Sequence, residues 1–519
     1  MNIERSKELI TQLVAQQVTT FCVCAGARNA PLVRVLDSAV GVEVLSFFDE
    51  RAAAFFALGR AKRDGRAAAV ITTSGTAAAE LLPAAVEAYY SGVPIVLITA
   101  DRPKSYRGSA SPQAIEQVGI FSHYASPAYD LDKSFSDIKI SAVGATHINI
   151  CFAEPLIDGE VPVLQFEAAV AIPISFSTRE QDNRKVDLFM SKISRPLVIL
   201  GALPVEERAR TRNFLLQLNA PVYAEALSGL RESDELAHLQ IRSGVTGLTA
   251  KSFGQLFDSV IRFGAVPTLR LWRDLDGELK NVPVLSVSQL PFSGLGRAAD
   301  EQAVSFVDFW QSEFKLKVAT ADWAKHEQDA NKKREYLLQQ YPLSETGMLH
   351  ALSEHISSES NVFLGNSLPI REWDQSASFS KPHPNIVANR GANGIDGLIS
   401  TFLGWAATER ENWLILGDLS ALYDLNALAL PTEEKTVRIV VVNNGGGQIF
   451  SRLFQDSRFL NRHSIGFEHW AKMFNYSYLK IQHGEFNKLS AIDTRVIIEL
   501  VPDMQQTVKF GQEWGGPAT

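Results

Sequence analysis

Strand-like and helical stretches alternate along the first hundred residues, and this alternation constrains the fold more than any other feature. Strands are predicted over residues 20–24, 42–48, 68–72 and 94–99, and helices over residues 7–18, 51–63 and 76–90. Such alternation is typical of parallel βαβ units, whose functional loops lie at the carboxyl ends of the strands. The functional loops are therefore predicted at residues 25–31, 49–50, 73–76 and 100–103.

The last third of the chain repeats this pattern, and a weaker α/β block lies between the two. The 519 residues are long enough for two to four domains. The sequence predicts an α/β protein with three parallel-sheet blocks, over residues 1–180, 181–335 and 336–519. The middle block carries few motifs and is interpreted mainly as structural, and residues 322–335 are predicted to form a connecting helix.

Composition and charge exclude several classes of protein. Hydrophobic residues at 46% and charged residues at 21% are ordinary for a globular protein. A net charge of −8 argues against non-specific nucleic-acid binding, which needs a basic face. An anionic substrate would therefore have to be bound by local arginines.

The three cysteines and the hydropathy pattern favour a cytoplasmic location. Cys22, Cys24 and Cys151 form no CxxC pair, and buried free thiols suit a reducing compartment. Residues 1–9 alternate charged and apolar side chains, so no signal peptide is expected. No apolar run reaches the ~18 residues that a membrane helix needs.

Two apolar runs in the last third end in residues suited to a metal and a diphosphate. The first run, over residues 413–417, is followed by Asp418. The second, over residues 439–442, is followed by Asn443 and Asn444, and Asn444 lies 26 residues after Asp418. Mg²⁺ prefers oxygen ligands and usually takes only one or two carboxylates from a protein. Asp418, Asn444 and the Gly446 carbonyl provide such a set, and the glycines let backbone N–H groups approach phosphate. The alternative is a pair of ordinary turns.

Glu50 lies directly after the predicted strand over residues 42–48 and precedes an apolar helix. A carboxyl group there would lie near a helix N-terminus in a site poor in water. Favourable interaction with the helix dipole is the alternative explanation for an acidic residue at this position.

At these positions the sequence resembles thiamine diphosphate enzymes. In that family a glutamate of the N-terminal domain hydrogen-bonds the aminopyrimidine ring of the cofactor, and the C-terminal domain binds the diphosphate through Mg²⁺, with Mn²⁺ as an alternative. Glu50 and the segment from Asp418 to Gly446 match these two halves. Because the halves face each other across subunits in the family, the resemblance implies a homodimer or a dimer of dimers.

Four motifs narrow the resemblance to the 2-succinyl-5-enolpyruvyl-6-hydroxy-3-cyclohexene-1-carboxylate synthases of menaquinone biosynthesis. They are the segments at residues 100–103 (ADRP), 389–397 (NRGANGIDG), 417–428 (GDLSALYDLNAL) and 443–450 (NNGGGQIF). The resemblance covers essentially the whole chain. It implies decarboxylation of 2-oxoglutarate and transfer of the succinyl unit to isochorismate.

The resemblance also implies roles for individual residues. The cofactor would contact Gly365, Asn366, Ser367, Asp418, Leu419, Ser420, Asn444, Gly446, Gly447, Gln448 and Ile449. The substrates, both polyanions, would contact Arg28, Arg102, Gln113, Arg390, Phe450 and Leu453. Arginine suits them because its planar fork binds a carboxylate in a bidentate manner. Solvated turns would also explain the arginines, and a core role would also explain Ile449, Phe450 and Leu453.

Three positions depart from the family pattern near the substrate arginines. Ala27 and Asn29 stand where serines are common, and Pro112 stands where an asparagine is often found. These changes predict fewer polar contacts to isochorismate. Two other functions remain open at this point: a thiamine diphosphate-dependent 2-oxoacid decarboxylase without an acceptor, and a non-catalytic relative acting as a binding subunit.

Overall fold

The structure, a computed structural model, describes residues 1–132, 135–161, 163–167, 183–244, 248–297, 303–313, 323–430, 435–451, 454 and 456–515. The chain forms two compact units. The first consists of Met1–Phe176, Asn389–Ala406 and Leu422–Glu433. The second consists of Ser177–Ala388, Ala407–Ala421 and Glu434–Thr519. The first unit therefore includes two segments from the last third of the sequence.

A six-stranded parallel sheet forms the centre of the first unit, with the strand order β3-β1-β4-β5-β7-β6. Its strands, with the short pair β2 and β8, are β1 Thr20–Cys24, β2 Ala39–Val40, β3 Glu43–Phe47, β4 Ala68–Thr72, β5 Ile95–Asp101, β6 Ala125–Leu131, β7 Ala145–Cys151 and β8 Leu164–Gln165. The helices are α1 Asn2–Ala15, α2 Ala30–Asp37, α3 Glu50–Asp64, α4 Thr76–Ala79 and α5 Leu82–Ser91. Every residue of β1, β4, β5 and β7 is buried, as expected for parallel strands covered on both faces.

The prediction of a single helix over residues 76–90 is wrong, because the structure has two helices there. The first ends at Ala79 and the second begins at Leu82. Pro83 lies in the first turn of α5, where its missing N–H costs no helical hydrogen bond. The proline thus starts a new helix instead of lying inside a longer one.

The second unit contains two further parallel sheets. The five-stranded sheet has the order β10-β9-β11-β12-β13. Its strands are β9 Pro196–Leu200, β10 Val222–Ala224, β11 Ser259–Phe263, β12 Val284–Val287 and β13 Ala303–Val304. Its helices are α6 Asn183–Lys192, α7 Val205–Leu218, α8 Ala250–Leu256, α9 Arg270–Asp274 and α10 Phe306–Gln311. The predicted connecting helix is present as α11 Trp323–Gln340.

The other sheet of this unit has six strands in the order β15-β14-β16-β17-β19-β18, again all parallel. Its strands are β14 Asn361–Leu364, β15 Ile386–Val387, β16 Glu411–Gly417, β17 Thr436–Val442, β18 Ser477–Ile481 and β19 Arg495–Leu500. The remaining helices are α12 Glu345–His355, α13 Leu368–Ser376, α14 Leu398–Trp405, α15 Asp418–Tyr423, α16 Ser457–Leu460, α17 Glu468–Met473 and α18 Met504–Trp514. Asp418 directly follows β16 and begins α15.

A buried arginine joins the two sheets of the second unit. The Arg231 guanidinium donates to the carbonyl oxygens of Asp374 (3.1 Å) and Ala377 (2.9 Å) and is stacked on the Phe379 ring. The Asp374 carboxylate in turn accepts the Ala226 N–H at 2.7 Å. These contacts agree with a structural role for the middle block.

The all-parallel sheets confirm the predicted α/β fold class. The division into three domains stays a prediction. None of the helices in the described part of the chain combines the length and apolar composition needed to cross a bilayer. Cys22, Cys24 and Cys151 are buried free thiols, and burial raises their pKa values.

Candidate active site

A cavity of about 870 Å³ lies at the carboxyl edge of the sheet in the first unit. Because β3, β1, β4 and β5 are neighbours, the loops after these strands meet at one edge. Glu50 after β3, Thr73 to Gly75 after β4, and Gln113 line the cavity. The volume is within the range of small-molecule sites.

Glu50 is the first residue of α3, and its neighbour Asp49 caps that helix. The Asp49 side chain accepts a hydrogen bond from the Ala52 N–H at 2.9 Å. Asp49 also accepts a hydrogen bond from the Asn426 amide. Asp49 thus provides the side-chain cap of α3, and the half-buried Glu50 next to it is one of the residues that line the cavity.

Arg28 lies in the loop after β1, where its guanidinium is held by protein groups. One guanidinium nitrogen donates to the Phe152 carbonyl at 2.9 Å, and the other lies 3.3 Å from the Glu154 carboxylate. The arginine is buried, whereas the Glu154 side chain is 69% exposed. The Arg28 N–H also donates to the hydroxyl of Thr73, a residue of the cavity wall, at 3.3 Å.

Asn29, one of the departures from the family pattern, has a structural role. Its amide oxygen accepts the Gly26 N–H at 2.8 Å, and its amide nitrogen donates to the Cys24 carbonyl at 2.8 Å. The side chain is fully buried. The amide therefore shapes the loop before α2, and this use of it could not be expected from a missing serine hydroxyl.

Arg102 and Gln113 lie on connected loops beside the same cavity. The Arg102 guanidinium donates to the Pro112 carbonyl at 3.1 Å and is stacked on the Tyr106 ring. Gln113 is exposed and has a positive φ of 57°. The buried Gln117 fixes this loop to the loop after β4, because its amide oxygen accepts the Gly75 N–H at 2.9 Å.

Asp418 forms the centre of a second cluster, in the second unit. Its carboxylate accepts the N–H groups of Leu419 (2.7 Å) and Gly446 (2.9 Å), and lies 3.3 Å from the His463 imidazole. Burial raises the pKa of the Asp418 carboxyl, while these N–H groups and the imidazole oppose the shift. Gly446 has φ of 133°, and a Cβ there would come within 2.3 Å of the Leu460 oxygen, so only glycine fits.

Asn444 is oriented by a buried carboxylate that the sequence did not single out. The Asn444 amide nitrogen donates to Glu345 at 2.9 Å. The amide oxygen of Asn444 is buried and has no hydrogen-bond partner within the described ranges. Burial raises the pKa of Glu345, and the nearby Asp418 charge raises it further.

These groups fit a hard cation. The buried Asp418 carboxylate and the unsatisfied Asn444 oxygen are ligand types that Mg²⁺ prefers. Gly446 adds a carbonyl that accepts the Gln448 N–H at 2.9 Å and has a second lone pair for a metal. No cluster of three His, Cys, Asp or Glu side chains suited to a metal occurs in the part of the chain that the structure describes. A metal would therefore depend on amide and carbonyl oxygens beside one carboxylate.

The other predicted cofactor contacts follow the neighbouring strands β14, β16 and β17. Gly365 comes directly after β14, where a Cβ would come within 2.8 Å of the Leu416 side chain. Ser367 adopts a positive φ of 76° before α13, and such backbone strain is frequent at functional sites. Asn366 and Ser420 are buried, whereas Leu419, Gly447, Gln448 and Ile449 are half-buried. Phe450 is 41% exposed, and Leu453 lies outside the described residues.

Comparisons with known proteins identify the family of the chain. Residues 4–120 match the family model described as thiamine pyrophosphate enzyme, N-terminal TPP binding domain. Curated relatives named 2-succinyl-5-enolpyruvyl-6-hydroxy-3-cyclohexene-1-carboxylate synthase come from Bdellovibrio bacteriovorus (46% identity over 99% of this chain and 98% of the relative) and Akkermansia muciniphila (38%, 96% and 96%). A third, from Chloroflexus aurantiacus, is 32% identical over 90% of this chain and 87% of its own length.

The chain belongs to this synthase family. The family resemblance seen in the motifs is thereby confirmed, and thiamine diphosphate is the cofactor of this class of enzyme. The roles of individual residues in this synthase, including the metal ligands, stay predictions.

Sequence reasoning missed four polar groups beside the predicted site residues of this synthase. Glu345 and His463 contact Asn444 and Asp418, and Glu87 accepts backbone N–H groups of the loop that follows Arg390. Gln117 joins the loop that carries Gln113 to the loop after β4. Glu345 follows Ser344, which caps α12, so an acidic residue there suggested only an ordinary helix start. Nothing in the sequence spacing indicates these long-range contacts.

Proposed function

We propose that this protein is a thiamine diphosphate- and Mg²⁺-dependent synthase that decarboxylates 2-oxoglutarate and adds the succinyl unit to isochorismate. The observation that carries the proposal is full-length similarity to synthases of this name, at up to 46% identity. Support comes from the Glu50 cavity and the Asp418 cluster, which offer the two kinds of group that the cofactor needs.

Each cluster has a distinct task in this proposal. When bound, thiamine diphosphate supplies the carbanion chemistry of 2-oxoacid decarboxylation. Glu50 holds and moves a proton at the aminopyrimidine ring, a general acid–base role. Asp418, Asn444 and the Gly446 carbonyl hold Mg²⁺, for which Mn²⁺ is an alternative, while Gly365 to Ser367, Leu419, Ser420 and Gly447 to Ile449 contact the cofactor.

The substrates are proposed to bind through arginines at the strand ends. Arg28, Arg102 and Arg390 bind carboxylates, Gln113 adds an amide contact, and Phe450 with Leu453 gives an apolar wall. Support comes from the backbone hydrogen bond of Arg28 to Thr73 of the cavity wall, and from the bond of Arg102 to Pro112, which precedes Gln113 of that wall. We further propose a cytoplasmic homodimer or dimer of dimers, by family resemblance.

The test is an assay of the purified protein with thiamine diphosphate, Mg²⁺, 2-oxoglutarate and isochorismate. Loss of isochorismate absorbance that requires all four components, together with the adduct mass, is the expected result. Carbon dioxide release without consumption of isochorismate would instead identify a decarboxylase. Absence of any reaction with the bound cofactor would contradict the proposal.

The metal site has a separate test in Asp418→Ala. Removing this carboxylate should abolish Mg²⁺-dependent binding of thiamine diphosphate, because the remaining ligands are neutral. Calorimetric titration with and without Mg²⁺ measures the effect. Asp329→Ala, at an exposed position of α11, is the matched control and should bind normally. Unchanged cofactor affinity in Asp418→Ala would refute the assignment.

A further inference from the structure

Glu87 is a buried carboxylate that accepts hydrogen bonds from a loop far along the chain. It lies on α5, and its exposed fraction is 3%. Its two oxygens accept the N–H groups of Gly391 at 2.9 Å and Ala392 at 2.7 Å. Gly391 and Ala392 directly follow Arg390 in sequence.

A second anchor holds the residue that precedes Arg390. The ammonium group of Lys62, on α3, donates to the Asn389 amide oxygen at 2.8 Å. The Asn389 amide nitrogen donates to the Thr401 hydroxyl at 2.9 Å. Residues 389–392, the 389–392 loop, are therefore fixed on both sides of Arg390.

The loop also packs against α5 too closely for any side chain on its glycine. A Cβ at Gly391 would come within 2.5 Å of the Glu87 backbone oxygen and 2.9 Å of the Ser91 nitrogen. Such contact with backbone atoms cannot be relieved by rotating a side chain. Glycine at 391 is thus required for the approach that brings two N–H groups to the Glu87 carboxylate.

Burying a carboxylate is costly unless it is paired and hydrogen-bonded. Burial raises the pKa of Glu87, and the charges of Lys62 and Arg390 with the two N–H groups oppose that shift. Apolar residues would pack a plain helix surface at lower cost. An arrangement that fixes the backbone on both sides of one arginine instead favours a preorganised binding group.

We propose that Glu87 and Lys62 are positioning residues, which hold the 389–392 loop so that Arg390 binds a substrate carboxylate. The inference rests on the proposed function, because it depends on the substrate-binding role of Arg390. Neither positioning residue is proposed to touch the substrate.

The first experiment is a double-mutant cycle on the holoenzyme with Glu87→Gln and Arg390→Ala. Glu87→Gln keeps the side-chain volume but can accept only one of the two N–H groups. It should raise KM for one of the two substrates roughly ten-fold, while the Kd for thiamine diphosphate stays within about two-fold. In the Arg390→Ala background the same change should alter KM less than about two-fold. Equal effects in both backgrounds would overturn the proposal.

A second variant and a second readout keep the test independent of folding and of turnover. Gly391→Ala leaves all charges in place but displaces the loop, so it should raise the same KM. Glu8→Gln, at an exposed position of α1, is the matched control and should leave both KM values unchanged.

Hydrogen exchange at the Gly391 and Ala392 amides should become at least ten-fold faster in Glu87→Gln. Unchanged exchange would overturn the anchoring, whereas an inactive unmodified protein would contradict only the proposed function.

Discussion

Adjacent carboxylates at the start of α3 show how neighbouring residues take different tasks. Asp49 satisfies the helix N-terminus and the Asn426 amide, whereas Glu50 lines the cavity. The sequence alone left helix-start stabilisation as an explanation for Glu50. Asp49 supplies the capping hydrogen bond, and the interaction of Glu50 with the helix dipole stays an alternative to the catalytic role.

Glu50→Gln should bind thiamine diphosphate normally but lose turnover, because an amide cannot exchange a proton with the cofactor ring. A loss of about 10²–10⁴-fold in kcat is expected for a general acid–base group. Steady-state kinetics measure kcat, and calorimetry measures the cofactor Kd. Glu4→Gln, at an exposed position of α1, should retain full activity. An active Glu50→Gln protein would refute the assignment.

The exposed Glu154 carboxylate competes for Arg28 in the structure. A substrate carboxylate that binds Arg28 would have to displace this partner. Glu154→Gln should therefore lower KM for that substrate by about two- to five-fold, since exposed ion pairs contribute roughly 0.2–1 kcal/mol.

Initial rates at varied concentrations of each substrate measure this effect. Glu160→Gln, an equally charged change at an exposed position of the same segment, should leave KM unaltered. A higher KM in Glu154→Gln would mean that Glu154 supports Arg28 instead of competing with the substrate.

The residues predicted from sequence are those whose chemistry shows in a local motif. Asp418 and Asn444 were identifiable because each ends an apolar run beside glycines. Glu345 was not identifiable, because it lies 99 residues from Asn444 and contacts it only in the folded chain. Asn29 was interpreted as a weakened substrate contact, whereas its amide is used by the loop backbone.

At the scale of elements, α3 connects two parts of the first unit. It begins at Glu50 and carries Lys62 near its other end, about 18 Å away along the axis. Its middle packs against α14 at two glycines, where Gly59 faces the Thr401 carbonyl and Gly404 faces the Phe56 carbonyl. The small residues let the two helix backbones approach closely.

Gly59→Ala should destabilise the protein by about 1–3 kcal/mol, because the new Cβ would lie 1.9 Å from the Thr401 oxygen and the helices would have to separate. Chemical denaturation measures the free energy of unfolding. Gly254→Ala is the matched control, since that exposed helical glycine has no atom within 4 Å of a new Cβ. The control should be stabilised by about 0.5–1 kcal/mol. Stability of Gly59→Ala equal to that of the unmodified protein would contradict the close contact.

Elements were predictable where local pattern decides them. The strands over residues 20–24 and 68–72 agree residue for residue with β1 and β4, since each is an apolar run with a threonine at one end. The prediction of one helix over residues 76–90 was wrong at Pro83, because the Ala-rich composition continues through the point where the second helix begins. The partnership of α3 and α14 was not predictable, because helix pairing depends on surfaces distant in sequence.

At the scale of the whole molecule, each unit buries a neutral histidine. His147 bonds the Thr99 hydroxyl at 2.8 Å and packs against the Phe121 ring, and burial lowers its pKa to about 4. Burial likewise lowers the pKa of His383 to about 4. The unfolded chain binds protons at these residues from about pH 6.5 downwards, before the folded chain does.

The contribution of these two histidines to the free energy of unfolding should therefore be fully present above pH 6.5 and should be lost as the pH falls towards 4. His147→Gln removes one of the two groups and should make this decline shallower. Urea denaturation at pH 7, 6, 5 and 4 measures the slopes, with His326→Gln at an exposed position of α11 as control. Parallel curves for His147→Gln and the unmodified protein would refute the assignment.

The first unit is assembled from distant stretches of chain, and this affects its synthesis. Residues 389–406 and 422–433 belong to the same compact unit as β1 and α3. A ribosome releases Glu50 some 350 residues before it makes Gly404. Domains generally fold in the order in which they are synthesised. The first unit, however, cannot complete its fold early, because two of its segments are made late in translation. Until α14 emerges, the surface of α3 around Gly59 lacks the helix against which it packs in the folded protein, so the packing of the first unit cannot be completed until residues 389–406 have been made.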